Sequence, residues 1–169
     1  MKNKAKNVAF LGLCTALALI LAYVELLLQP LFPTIPGIKM GLPNIIIIFL
    51  LYKRGAVPAI WVSFLRMVLV SILFGNVMAF SYSLAGGFLS MLVMIVLKRL
   101  NLMSEVGVSV AGGVCHNIGQ ILMAMLLLET VELGYYMVIL TVTGTIAGVL
   151  VGLCGSMLIK HTKKSSKYC

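Results

Sequence analysis

The chain contains no aspartate. Its four acidic residues are all glutamates, Glu25, Glu105, Glu129 and Glu132, scattered along 169 residues. A two-metal or magnesium–diphosphate site built on clustered aspartates is therefore excluded. No G-x-x-x-x-G-K-[ST] run occurs, so the chain does not hold ATP by a P-loop. No acid is placed near His116 to complete a Ser/His/acid arrangement. The expectation is a protein that is not an enzyme, with no cofactor and no metal. The four cysteines, Cys14, Cys115, Cys154 and Cys169, form no CxxC pair. Three of them lie inside apolar runs, where a thiol serves as a small buried side chain, so neither a disulfide framework nor a zinc site is expected.

Charge of either sign is scarce as well. Charged residues make up 10% of the chain and hydrophobic ones 62%, against about 25% and about 45–50% in an ordinary soluble domain. A water-soluble fold of this size cannot hide that much apolar surface. The composition points to an all-α, multi-pass protein of the cell membrane, with residues 1–169 forming a single transmembrane domain. The net charge of +9 does not point to nucleic acid. The basic residues sit in short clusters between long apolar runs, as membrane topology requires. The first residues, MKNKAKNVAFLGLCTALALILAYVE, pair a basic start with an apolar run too long for a signal peptide and closed by no A-x-A-like site. They read as a retained first helix.

Five segments approach the roughly 20 apolar residues that cross a bilayer: about 8–28, 55–74, 79–97, 107–128 and 134–159. A sixth, 42–52, is only about eleven residues long, and by length alone fits a re-entrant segment as well as a crossing. The charges choose between them. If 42–52 crosses and the N-terminus is cytoplasmic, 11 of the 13 basic residues fall inside: Lys2, Lys4, Lys6, Lys53, Arg54, Lys98, Arg99, Lys160, Lys163, Lys164 and Lys167. If it does not cross, only the first three remain there. The positive-inside rule selects six helices with both termini cytoplasmic. The short second helix then extends toward Ile38 or sits where the bundle is thin.

The connector between the first two helices reads QPLFPTIPGIKMGLP, with four prolines and two glycines over residues 29–43. It fits a lid over a site on the outer face, or equally a rigid connector. Small residues mark three helices: Ala85, Gly86, Gly87 and Ser90; Gly107, Ala111, Gly112 and Gly113; and Gly144, Ala147, Gly148, Gly152 and Gly155. Such residues let helices approach closely in lipid, so helices four, five and six are expected to form one compact group.

Polar residues in the apolar segments are few. Glu25, near the outer end of helix one, reads as interfacial. Arg66 is about 11 residues into helix three, roughly 16 Å of rise, too deep for easy snorkelling, so it should face the bundle interior. Helix five carries His116, Asn117 and Gln120 within about one turn, with His116 and Gln120 on one face. His116 and Arg66 lie at similar depth. One guanidinium, one imidazole and two amides thus suit a polar or anionic small molecule, with Asn44, Asn76, Ser81, Tyr82 and Ser83 near the outer ends extending the same cavity and Lys39, on the outer side, counted among the substrate-binding residues. The competing reading is a hydrogen-bond cluster that only joins helices.

Four ordered motifs carry a family resemblance: PGIKMGLPNI in the 35–45 region, Arg66 in FLRMVL, SLAGGFLSMLVM at 83–94 and GVSVAGGVCHNIGQ at 107–120. Together they resemble the Gx transporter family, also labelled heptaprenyl diphosphate synthase component I, over nearly the whole chain. That family looks similar to the substrate-binding S components of energy-coupling factor (ECF) importers. The resemblance implies six helices, a substrate site toward the outer side, and a first-helix AxxxA pattern, here Ala18 and Ala22, that docks on a transmembrane scaffold subunit coupled to ATPase subunits. The expected function is the substrate-binding membrane subunit of such an importer, with a small-molecule substrate, membrane lipid, scaffold and ATPases as partners. The alternative is a non-catalytic membrane accessory subunit of isoprenoid or quinone synthesis.

Overall fold

The computed structural model describes residues 2–28, 41–75 and 77–165. Lys39, Asn76 and most of the connector read as a lid lie outside the described residues. The described chain is all-helical: α1 (Lys2–Leu28), α2 (Asn44–Lys53), α3 (Ala56–Phe74), α4 (Val77–Arg99), α5 (Glu105–Leu128), a short 3-10 helix (Val131–Tyr135) and α6 (Tyr136–Ser165). All the α-helices but α2, five in number, are long and apolar enough to cross a membrane, so the protein is a multi-pass membrane protein. Helix α5 starts two residues earlier than the apolar run alone suggests. Ser104 caps it, its side chain accepting the Gly107 N–H at 3.3 Å, and Glu105 adds a favourable negative charge to the first turn.

Helix α2 spans ten residues, about 15 Å of rise, roughly half the hydrocarbon thickness. It is nevertheless the centre of the fold. Ile47, Ile48, Leu50 and Leu51 are almost completely buried, packed among α1, α3 and α6. A helix starting inside an apolar bundle must satisfy its first N–H groups. Asn44, Ile45 and Ile46 donate to the carbonyls of Gly41, Leu42 and Pro43. Gly41 adopts φ +70, which glycine reaches without steric cost, and this turns the chain into α2.

Helices α1 and α3 lie side by side with like ends together. At one end Arg54, just before α3, donates to Asn7 of α1 at 3.4 Å and lies over the Phe10 ring. At the other end Tyr23 and Phe74 stack with centroids 5.2 Å apart. The chain therefore leaves α1 at one end and enters α3 at the opposite end. Lys98, near the end of α4, donates to the Leu51 carbonyl near the end of α2 and lies over Tyr52, which joins it to the Arg54 end.

Helices α4, α5 and α6 form the compact group that their small residues require. A Cβ added at Gly86 or Gly119 would run into the facing backbone of α5 or α4. The same holds for Gly113, Gly148 and Gly152 between α5 and α6. Close backbone approach of this kind replaces the hydrophobic drive that lipid does not supply.

Candidate functional site

Arg66 sits ten residues into α3, about 15 Å from its start. Its Nε is buried and has no hydrogen-bond partner among the described residues. Two cavities meet at its side chain. The first, about 50 Å³, is bordered by Glu25, Asn44, Arg66, Ser90, Ser109, His116 and Asn117 together with Gly112, Gly113, Gly144 and Gly148. The second, about 80 Å³, lies between α1, α3 and α4, bordered by Ala22, Glu25, Arg66, Met67, Ser71, Ser83 and His116. Glu25, Arg66 and His116 border both. The glycines have a second use here: without side chains on α5 and α6, space remains beside His116 and Asn117.

The expected residues divide. Arg66, His116, Asn117 and Asn44 come together around the first cavity. Asn117 also joins helices, its side-chain amide donating to the Leu140 carbonyl of α6 at 2.6 Å. The two readings of the helix-five group, cavity lining and helix contact, thus meet in one residue. Gln120 does not border either cavity. It is buried, its Cγ packed where Gly86 of α4 leaves room, because one further turn along α5 carries it past the open space and into the α4 contact. Lys39 and Asn76 lie outside the described residues.

Glu25, read from the sequence as lying near the outer interface, is turned into the bundle: it is 8% exposed, with Oε1 accepting the Gly41 N–H at 2.8 Å. Its charge acts on Arg66. The signal was present in the helical phase: Cys14, Ala18, Ala22 and Glu25 form the inner stripe of α1, at the i, i+4, i+8, i+11 spacing of a buried face. Ala18, 0% exposed, and Ala22 lie on this stripe, and Ala22 borders the second cavity. The AxxxA spacing therefore packs within the chain itself. The outward stripe of α1 is Leu13, Leu17, Ile20, Val24 and Leu27. Ser90 and Ser109, also on the first cavity, carried no sequence signal beyond small size.

Chemically the first cavity offers one buried cation, an imidazole, two amides and two hydroxyls beside one carboxylate that already accepts a backbone N–H. That set suits an anionic group. Among the described residues no cluster of three His, Cys, Asp or Glu side chains is placed to hold a metal ion. No curated protein and no solved structure matches the chain. The family described as heptaprenyl diphosphate synthase component I does match, over residues 14–158, a stretch that reaches into all six helices and includes every residue bordering the two cavities. The chain belongs to that family.

Proposed function

We propose that this chain is a non-catalytic membrane subunit that binds an anionic small molecule between its helices and works with separate partner subunits. The observation that carries the reading is the buried Arg66 Nε, without a partner among the described residues, at the junction of two cavities. A guanidinium in an apolar bundle is costly unless something uses it, and its planar fork suits carboxylates and phosphates. The chain lacks the clustered aspartates that would hold magnesium for prenyl transfer, which favours placing any such chemistry on a partner.

Six crossings with both termini cytoplasmic fit the proposal. The like-ended pairing of α1 and α3 requires the intervening chain, α2 included, to return along the bundle. It also gathers Arg54 and Lys98 at one end, as the positive-inside rule asks.

Two settings remain for the subunit. The name of the family supports an accessory subunit of heptaprenyl diphosphate synthesis, since a component I implies a second component. The resemblance to S components supports the other setting, an ECF-type importer in the plasma membrane with a scaffold subunit and ATPases. Affinity purification of the chain from its native membrane, followed by native mass spectrometry, separates them. A co-purified soluble prenyl synthase supports the first and co-purified ATPases support the second. A bound anion that disappears in Arg66→Ala supports the binding role in either case. Recovery of no anion from the wild-type protein, together with unchanged partners in Arg66→Ala, would count against it.

A further inference from the structure

Beside the polar cavities runs a third space of a different character. It lies between α3 and α4, measures about 340 Å³, and is bordered by Ile60, Phe64, Met67, Leu84, Phe88 and Leu92 among others, with Ser63 as its one polar side chain. Along α4 it extends from Leu84 to Val96, about 18 Å of helix rise and more than half of the hydrocarbon thickness. It opens toward lipid: Phe88 is 70% exposed and Leu92 48%.

Met67, the neighbour of Arg66, borders both this groove and the second of the Arg66 cavities. Its thioether end fills the room left by Gly87 of α4, where an added Cβ would lie 2.6 Å from the sulfur. Methionine is unbranched and rotates readily. A buried cationic pocket and a lipid-open apolar groove thus adjoin at one adaptable side chain.

Resting on the anion-binding reading above, we infer that the ligand is an amphipathic anion, a single phosphate or carboxylate head with one long hydrocarbon chain. The head lies against Arg66 and His116. The chain passes Met67 and lies in the α3–α4 groove. The ligand class follows from the adjacency of the two spaces and from the charge on only one of them. Entry from the bilayer rather than from water also follows, because the groove opens sideways.

The test uses the full chain in lipid nanodiscs with two probes that share a head group, monobutyl phosphate and monododecyl phosphate. The wild type should bind the dodecyl probe at least about tenfold more tightly, a difference of ~1.4 kcal/mol. Partition into the bilayer alone also favours the longer probe, so the groove is tested by filling it. Leu84→Trp and Leu92→Trp place a large ring in the groove from positions already partly exposed. Each should reduce the preference while leaving butyl phosphate affinity unchanged, and either variant suffices if the other fails to fold. A preference that survives in the folded tryptophan variants overturns the groove assignment and leaves the head site standing, provided butyl phosphate still depends on Arg66. Loss of neither probe in Arg66→Ala overturns the head site, and the groove assignment with it.

Discussion

Glu25 of α1 and Arg66 of α3 face the same two cavities, and Glu25 is already engaged: its Oε1 accepts the Gly41 N–H at 2.8 Å. One carboxylate thus fixes the turn into α2 and places a negative charge on the same cavities as the guanidinium. An incoming anion meets Arg66 in the presence of that charge. Replacing the carboxylate by an amide keeps an acceptor for Gly41 and removes the repulsion, so Glu25→Gln should raise the affinity for monobutyl phosphate severalfold with little change in melting temperature. Glu25→Ala should instead leave the Gly41 N–H unpaired, at about 1–3 kcal/mol of stability. Isothermal titration and thermal unfolding of the two variants in one detergent read both effects. Weaker binding by Glu25→Gln would mean that the carboxylate helps to hold the ligand.

The glycine contacts separate positions that look alike in the sequence. A Cβ at Gly86 would lie 2.5 Å from the His116 carbonyl oxygen, and one at Gly148 would lie 2.6 Å from Val110 Cα. Backbone atoms cannot yield as a flexible side chain does, so Gly86→Ala and Gly148→Ala should each cost about 1–3 kcal/mol. Gly12 has nothing within 4 Å of its Cβ position, and Gly12→Ala should be neutral or stabilise by up to about 1 kcal/mol. Thermal unfolding of the three single variants is the check; equal melting temperatures would contradict the close α4–α5–α6 packing.

The first helix gives a similar test. Ala18 and Ala22 lie on its inner stripe, so Ala18→Leu plus Ala22→Leu should lower stability, and the bulk at 22 should weaken anion binding at the second cavity. Leu17→Ala plus Ile20→Ala, on the outward stripe, should leave stability nearly unchanged and is the variant to examine for loss of a partner subunit in pull-down. Unchanged stability in the first pair together with a lost partner would return the docking role to the alanines.

Topology is tested by labelling in a variant lacking Cys14, Cys115, Cys154 and Cys169. Cysteine at position 39 should react with an impermeant thiol reagent from outside. Cysteine at 54 or 99 should not, because the packing of Arg54 on α1 and of Lys98 on α2 gathers both at the end where α1 starts. Labelling of position 54 from outside would overturn six crossings.

Much of this architecture was legible in the residues. Apolar run length located the five long helices, and glycine spacing grouped α4, α5 and α6. The depth of Arg66 and His116 brought them to one site, since rise per residue in a helix is fixed. What escaped was rotation about the helix axis. Glu25 looked interfacial by depth, whereas its phase with Cys14, Ala18 and Ala22 turns it inward. Gln120 shares a face with His116 but ends against Gly86, because a cavity is shorter than a helix face is long. Helix α2 was ambiguous by length, and run length alone does not reveal that Ile47, Ile48, Leu50 and Leu51 pack into the centre of the bundle.

The central claim, that Arg66 and His116 form a binding site and not only a contact between helices, is tested by measuring affinity and stability in the same preparations. Wild type, Arg66→Ala, His116→Ala and Gln120→Ala are compared for monobutyl phosphate affinity and melting temperature in one detergent. A lost bond to a charged group is worth about 1.5–3 kcal/mol, so Arg66→Ala should weaken binding about 10- to 150-fold while the melting temperature holds. His116→Ala should follow in the same direction, and Gln120→Ala should change stability alone. Interhelical hydrogen bonds average only about 0.6 kcal/mol, so a group that merely joins helices would show a small, uniform loss of melting temperature with unchanged affinity in all three variants, and that result would contradict the site.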